Sequence, residues 1–150
     1  MAFVDRLNQL TGKKFRLPTE VEWEYEARGG ENGESYKYGG SNNLDEVGWA
    51  SGRLSPVRKR YCNDLGIYDM SGNVWEWCSD WYSMNYYNVS TMKNPQDPSM
   101  GTQRVRRGGC WDNNERACRI THRDYLQPSN PSNFVGLRLV MEPNEVRTKN

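Results

Sequence analysis

The stretch GIYDMSGNVWEWCSDWY, residues 66–82, decides how the rest of the sequence is interpreted. Three tryptophans, at positions 75, 77 and 81, follow a Ser-Gly-Asn turn and lie among three acidic residues. Positions 74–78 alternate as on a strand. Only 35% of the chain is hydrophobic, so large rings that bury about 150–250 Å² each must supply much of the core. We therefore predict that the tryptophans are core residues that hold the preceding turn in one arrangement.

The turn itself has the composition of a metal-binding loop. Asp69 and Glu76 are seven residues apart, and Gly72 between them permits a turn that brings both carboxylates together. Calcium accepts six to eight oxygen ligands, including backbone carbonyls. From the spacing alone the favoured alternative is that Asp69 caps a turn and Glu76 is a solvated or ion-paired acid.

The whole-chain totals exclude several classes of protein. The 150 residues suit one domain, and the net charge of +1 gives no electrostatic case for nucleic acid or an anionic membrane. No apolar run approaches 18 residues, and the first residues lack the pattern of a signal peptide, so the location is left open. Four cysteines without a C-x-x-C pair, together with one histidine, favour buried thiols or at most one disulfide over a zinc site. The cysteines are Cys62, Cys78, Cys110 and Cys118.

Two helices are predicted near the beginning of the chain. In MAFVDRLNQLTG, residues 1–12, apolar residues at positions 3, 7 and 10 form one stripe, and Gly12 ends the helix. In RLPTEVEWEYEARGG, Thr19 and Glu22 make a capping box, and Gly29-Gly30 ends the second helix. Both faces of the second helix are expected to pack.

Short strands are predicted elsewhere in the chain. They lie near Tyr36–Tyr38 and Val47–Trp49, in RVRRGGCW at residues 104–111, and in a closing strand at Phe134–Val140. Residues 141–150 are predicted to be a disordered tail.

Five blocks together resemble one family: FRLPTEVEWEYEARGG, GIYDMSGNVWEWCSDWY, RVRRGGCW, CRITHR and VGLRLV. In this order they are similar to the sulfatase-modifying factor family, whose best-known members are formylglycine-generating enzymes. The resemblance covers roughly residues 2–140. It implies an α+β, C-type-lectin-like fold with two helices, short antiparallel strands and much ordered loop. It also implies a domain over residues 1–140 that lacks the β-rich N-terminal portion of its relatives.

The resemblance implies a structural calcium ion (Ca²⁺) in the turn. The implied ligands are the side chain of Asp69, the carbonyls of Gly72 and Val74, and the carboxylate of Glu76. A second calcium loop of the family fits only loosely at Asn43 and Leu44, so we do not predict it.

The resemblance also defines where catalytic cysteines would lie. Formylglycine-generating enzymes hold copper(I) with a C-x4-C pair, and alignment on Arg123 points to residues 113–115 for it, where there is no sulfur. Copper is therefore not expected, and Cys118 is interpreted as a buried thiol, beside Cys78. The enzyme assignment stays open and leans against catalysis, with an oxidase acting on protein cysteines as the alternative.

Residues 112–134 are polar and lie between the motifs RGGCW and VGLRLV. A polar segment between two well-packed motifs is typical of a binding surface, although a plain surface loop has the same composition. The segment resembles the randomised region of variable proteins from diversity-generating retroelements, which implies a bacterial source. We expect a protein or other surface ligand, and no nucleic acid or membrane, at a non-catalytic site. The candidate ligand-binding residues are Asp112, Asn113, Asn114, Glu115, His122, Asp124, Tyr125, Leu126, Gln127, Ser129, Asn130, Ser132, Asn133 and Phe134.

Overall fold

The first helix is confirmed at the beginning of the described chain. The computed structural model describes residues 2–50, 52–84 and 100–143. Helix α1 spans Ala2–Thr11 and ends at Gly12, which has a φ of 66°. Within α1, Val4 is buried, whereas Phe3 and Leu10 are 59% and 68% exposed. The predicted apolar stripe is therefore largely on the surface of the described chain.

The predicted capping box at the start of the second helix is confirmed. Helix α2 spans Glu20–Ala27. The Glu22 N–H donates to the Thr19 hydroxyl at 3.2 Å, and the Thr19 N–H donates to the Glu22 carboxylate at 2.8 Å. Two N–H groups that lack partners in the first turn are thereby satisfied.

Only one face of α2 is buried. Trp23 and Ala27 face the core, whereas Val21 and Tyr25 are 43% and 50% exposed. The expectation that both faces pack is wrong, because the second face lies against solvent. A third helix, α3, forms a single turn over Leu44–Val47, which is too short for a periodic pattern to reveal.

A four-stranded sheet forms the centre of the fold. It contains β4 (Trp75–Trp81), β5 (Arg104–Arg107), β6 (Asp124–Leu126) and β7 (Val135–Gly136). The strand order is β6-β5-β4-β7, with β6 and β7 at the edges. The β4–β5 and β5–β6 pairs are antiparallel, and the β4–β7 pair is parallel.

Two small sheets fix the ends of the described chain and the turn before β4. Strands β1 (Phe15–Arg16) and β8 (Val140–Met141) pair antiparallel, and β2 (Gly48–Trp49) pairs parallel with β3 (Ser71–Gly72). The expectation of antiparallel strands therefore fails at β2–β3 and β4–β7. In both cases a long crossover brings the second strand back in the same direction.

The predicted closing strand Phe134–Val140 is wrong as one element. The chain pairs as β7, leaves the sheet, and pairs again as β8 with β1. Met141 lies beyond the predicted domain boundary at residue 140, so the paired chain continues past it. Residues 144–150 of the predicted tail lie outside the described residues. Near Tyr36–Tyr38 there is only an isolated bridge from Tyr38 to Ser41.

Two clusters of buried residues make the core. One gathers residues from α2, β4, β5 and the loops before β4 and after β5: Trp23, Ala27, Met70, Cys78, Val105 and Ile120. The other contains Tyr38, Leu44, Val47 and Cys118. Trp75 is buried, which confirms its predicted place in the core, whereas Trp77 and Trp81 are half-buried.

A buried ionic cluster joins α2 to the sheet and to the segment after β5. Glu20 and Arg107 are fully buried. Both oxygens of the Glu20 carboxylate accept hydrogen bonds of 2.6 Å from Arg123. Arg107 lies 3.5 Å from Glu20 and also pairs with Glu24. None of the helices in the described part of the chain has the length and apolar composition needed to cross a membrane.

Candidate functional site

The turn at residues 69–76 is fixed by its neighbours. Asp69, Gly72 and Asn73 have φ values of 60°, 82° and 64°. A Cβ atom on Gly72 would lie 2.1 Å from the Trp49 carbonyl oxygen, so this position requires glycine for space as well as for conformation. The Gly72 N–H donates to the Gly108 carbonyl at 2.7 Å, and the Asn73 N–H donates to the Trp49 carbonyl at 2.9 Å. The backbone of the turn is therefore held from two sides.

The four predicted metal ligands line one cavity of about 610 Å³: Asp69, Gly72, Val74 and Glu76. The Oδ2 atom of Asp69 accepts a 2.7 Å hydrogen bond from the Arg58 N–H. Its Oδ1 atom is buried and has no hydrogen-bond partner among the described residues. A buried carboxylate oxygen without a partner is costly, and a cation beside it would remove that cost.

Glu76 is ion-paired inside the same cavity. Its Oε2 atom accepts hydrogen bonds from Trp23 Nε1 at 2.8 Å and Arg138 Nε at 2.9 Å. Its Oε1 atom accepts from Arg138 Nη2 at 2.8 Å, and the same nitrogen donates to the Tyr68 carbonyl. Burial alone would lower the pKa of Arg138, but the Glu76 carboxylate offsets this, and the pKa is raised.

Sequence reasoning missed Arg138. The available signal was a single charged residue within the apolar run VGLRLV, which indicates a charge that turns towards a buried partner. The contacts of Asp69 and Glu76 are those of a turn cap and an ion-paired acid, which is the alternative that the spacing alone favoured.

The donor set still fits a hard cation. Asp69 offers its unpartnered Oδ1 atom, and Glu76 Oε1 keeps a lone pair beside its bond to Arg138. Over the described ranges, no group of three or more His, Cys, Asp and Glu side chains gathers to hold a metal. An ion in this cavity would therefore also need the carbonyl oxygens of Gly72 and Val74, which calcium accepts.

The donors near residue 113 do not fit copper(I). The Asn113 side-chain oxygen accepts hydrogen bonds from the Cys110 N–H and thiol, at 3.0 and 3.1 Å. Burial raises the pKa of the Cys110 thiol and raises the pKa of Cys118 to about 12, so both are protonated at neutral pH. Copper(I) prefers thiolate ligands. All four cysteines are free, and Cys118 does not lie beside Cys78 as expected, because the two belong to different core clusters.

Both ends of the 112–134 segment are anchored near the turn. The Trp111 N–H donates to the Asn73 carbonyl at 2.9 Å, and the Trp75 N–H donates to the Phe134 carbonyl at 2.8 Å. The Trp111 and Phe134 rings lie 5.2 Å apart. The turn therefore holds the two ends of the segment together.

The first part of the segment is engaged in local structure. Asn113 caps the backbone at Cys110, and the Asn114 side chain accepts from the Ala117 N–H at 3.3 Å, at the start of the 3-10 turn Glu115–Cys118. The Glu115 carboxylate lies 3.5 Å from the hydroxyl of Tyr38, while Asp112 is exposed. Asn113 and Asn114 are thus structural as well as candidate contact residues.

The middle of the segment is tied to the sheet. The His122 ring lies 5.9 Å from the Trp75 ring. Burial lowers the pKa of His122. Asp124 pairs with Arg106 at 2.8 Å. Tyr125 is 39% exposed, so it offers ring surface to a ligand.

The last part of the segment is the most accessible. Leu126 and Phe134 are half-buried, and the Ser132 hydroxyl accepts from the Phe134 N–H. The order β6-β5-β4-β7 places Leu126 and Phe134 at opposite edges of the sheet. The register also places Leu126 level with Trp81, whereas Phe134 lies beside Trp75, at the other end of β4. The candidates therefore form two patches joined by an exposed loop, whose exposed members are Gln127, Ser129, Asn130 and Asn133.

Comparison with known proteins identifies the family. The model of the sulfatase-modifying factor enzyme 1-like domain matches residues 1–143. The formylglycine-generating enzyme of Streptomyces coelicolor is 39% identical over 142 residues, covering 82% of this chain and 45% of that protein. The serine/threonine-protein kinase pkn1 of Chlamydia caviae is 38% identical over 125 residues, covering 82% of this chain and 20% of the kinase.

A solved structure supports the same assignment. Treponema denticola variable protein 1 superposes with a TM-score of 0.71 and 36% identity, over 85% of this chain and 47% of that chain. The chain thus spans less than half the length of each of these three proteins. From the family match over residues 1–143 and these similarities, the chain belongs to the sulfatase-modifying factor family and has its α+β, C-type-lectin-like fold.

Proposed function

We propose that this chain is a non-catalytic binding domain whose 112–134 segment contacts a protein or other surface ligand. The observation that carries the proposal is the anchoring of both ends of the segment at residues 73–75, with exposed polar side chains between them. A fixed frame around an adaptable surface lowers the ordering cost of binding. Similarity to a variable protein supports the further proposal that a retroelement diversifies this segment.

The ligand-binding test compares two triple-alanine variants. Changing Gln127, Ser129 and Asn133 removes exposed polar groups from the segment. The matched control changes Gln9, Asn32 and Ser35, which are exposed elsewhere. A partner isolated by crosslinking to the wild-type chain is purified, and its affinity for each variant is measured by calorimetry. We expect a loss of roughly tenfold or more for the first variant alone. Equal affinities for the two variants would refute this site.

The retroelement proposal has a genetic test. Sequencing the DNA that flanks the gene should find a reverse transcriptase and a template repeat matching residues 112–134. Flanking DNA without either feature would remove the retroelement from the proposal and leave the binding surface to its own test.

The proposed calcium ion has a structural role. Asp69, Gly72, Val74 and Glu76 would hold it, and it would stabilise the turn to which the 112–134 segment is anchored. A ligand at about 100 times its Kd stabilises a protein by about 2.7 kcal/mol, which raises the Tm of a chain this size by about 5–10 °C. The unpartnered Asp69 Oδ1 is the main support.

Thermal unfolding with calcium, magnesium or a chelator tests the ion. Asp69→Asn keeps a residue that tolerates positive φ but removes the charge, so it should abolish the rise in Tm caused by calcium. Asp64→Asn, at an exposed position outside the cavity, is the matched control. An identical Tm with and without calcium in the wild-type chain would overturn the calcium site.

The alternative function is a formylglycine-generating oxidase acting on protein cysteines. The 39% identity to the Streptomyces coelicolor enzyme favours it, and the buried, protonated thiols oppose it. Copper(I) titration and oxidation of a cysteine peptide distinguish the two. Stoichiometric copper binding with conversion of the substrate cysteine to formylglycine would establish the oxidase and overturn the non-catalytic proposal.

A further inference from the structure

A second cavity, of about 460 Å³, lies beside the first and is separate from the 112–134 segment. We call it the basic cavity. It shares two wall residues, Arg58 and Tyr68, with the larger cavity. Its lining residues are Asp45, Glu46, Arg58, Lys59, Arg60, Tyr61 and Tyr68.

Among the described residues, no carboxylate forms an ion pair with the cations of the basic cavity. Within residues 2–50, 52–84 and 100–143, no carboxylate lies within 4.0 Å of the charged nitrogens of Arg58, Lys59 or Arg60. The Arg60 Nε atom is buried and has no hydrogen-bond partner in the same described residues. The surrounding sequence, residues 52–63, contains four basic residues and no acid, so the positive charge is local.

Ring contacts and backbone bonds hold the two arginines in place. The Arg60 guanidinium lies 4.0 Å from the centre of the Trp49 ring, and that of Arg58 lies 4.8 Å from the centre of the Tyr68 ring. The Arg58 N–H is bound to Asp69. Stacked guanidinium groups keep their N–H edges available for an oxyanion, and their orientation is already restricted before binding.

The two acids in the wall limit the class of ligand. Glu46 accepts hydrogen bonds from Ser41 and Asn43, so it is engaged outside the cation cluster. With Asp45 beside it, the wall would repel a continuous polyanion such as a nucleic acid. A single compact group with a charge between about −1.5 and −2 gains most from three cations within one small cavity.

We propose that the basic cavity binds a phosphate monoester through Arg58, Lys59 and Arg60. The group is the same in a free metabolite and in a phosphorylated side chain. Calcium is not needed for this binding, so the proposal is independent of the metal site.

Calorimetry with the full chain in calcium-free buffer at fixed ionic strength tests the proposal. The probes are inorganic phosphate, O-phosphoserine, a phosphoserine peptide and acetate. We expect saturable binding of the phosphate probes and none of acetate at the same concentration. Tighter binding of the peptide than of O-phosphoserine would identify a protein source, and equal affinities would identify a free small molecule.

Three variants locate the binding. Arg60→Gln and Arg58→Gly each remove one guanidinium and should weaken phosphate binding by roughly tenfold or more. Arg58→Gly relieves a backbone strained at a φ of 61°, so it is expected to remain folded even if Arg60→Gln does not. Arg53→Gln removes the same charge from the same loop outside the cavity and should leave the affinity within about twofold. Three results would overturn the proposal: phosphate binding that does not saturate, acetate binding as tight as phosphate binding, or equal losses of affinity for Arg53→Gln and Arg58→Gly.

Discussion

Arg58 has a backbone conformation that suits glycine better than arginine. Its φ is 61°, and its N–H is held by Asp69 Oδ2. Left-handed geometry costs a residue with a Cβ about 1–2 kcal/mol, and glycine avoids this cost. Glycine also makes the unfolded chain more flexible, which offsets about 0.5–1 kcal/mol of the gain. Arg58→Gly should therefore raise the free energy of unfolding by about 0.5–1 kcal/mol, measured by urea denaturation.

The control for this change is Arg53→Gly, which removes the same side chain from an exposed position without a positive φ. It should be neutral or slightly destabilising, because only the entropy of the unfolded chain changes. If Arg58→Gly destabilises the protein more than the control, the strain attributed to Arg58 is absent.

His122 should make stability depend on pH. Burial lowers its pKa below 6.5, with Arg107 and Arg116 adding to the effect and Asp124 opposing it. As the pH falls below about 6.5, His122 takes up a proton in the unfolded chain before it does so in the folded protein. The free energy of unfolding therefore decreases between about pH 6.5 and the pKa of His122 in the folded protein. Nuclear magnetic resonance titration of the ring should give a pKa below 6.5, and His122→Gln should flatten this part of the stability curve. A folded pKa at or above 6.5 would contradict the prediction.

Among the elements, α2 depends on its N-terminal cap. The Thr19 hydroxyl accepts the Glu22 N–H, and the Asp80 carboxylate accepts the Glu20 N–H at 2.8 Å, where the helix begins. Thr19→Ala should lower the free energy of unfolding by about 1 kcal/mol. Thr19→Ser keeps the hydroxyl and should lose much less. Equal losses for the two substitutions, measured by urea denaturation, would show that the cap contributes nothing.

Elements specified by neighbouring residues could be predicted from the sequence, and elements specified by distant partners could not. The capping box at Thr19 and the stop at Gly12 require only residues within one turn, and both are confirmed. The run Phe134–Val140 has a suitable strand composition throughout. However, its partners are β4 at one end and β1 at the other, so it leaves one sheet before it joins the next.

At the scale of the whole molecule, the ionic cluster around Glu20 joins parts of the chain that are far apart in sequence. Glu20 is fully buried, and both of its oxygens are bound by Arg123, with Arg107 nearby. Removing one partner of a buried pair leaves the other charge uncompensated, which costs about 3–5 kcal/mol. Glu20→Gln should therefore lower the free energy of unfolding by about that amount.

Glu31→Gln is the control for the ionic cluster, because Glu31 is exposed and carries the same charge. Chemical denaturation of both variants measures the difference. If Glu20→Gln lowers the free energy of unfolding by less than about 1 kcal/mol, the cluster contributes no more than a weak surface ion pair does.

The candidate site was only partly predictable at this scale. The four proposed metal ligands fall within eight residues, and a local turn suffices to line one cavity with them. Arg138 reaches that cavity from a segment 62 residues beyond Glu76. The basic cavity combines residues from α3, from the loop before β3 and from the beginning of the 66–82 stretch. Spacing along the sequence carries no signal for such long-range arrangements.

The pairing of β1 with β8 has a consequence for synthesis. Phe15 and Arg16 leave the ribosome well before their partners Met141 and Val140, which follow them by 126 and 124 residues. Until then β1 has no strand to bond, and closing so long a loop is entropically slow. Nascent chains stalled before residue 140 should therefore be open to proteases at α1 and β1, and protection there should begin when β8 is released.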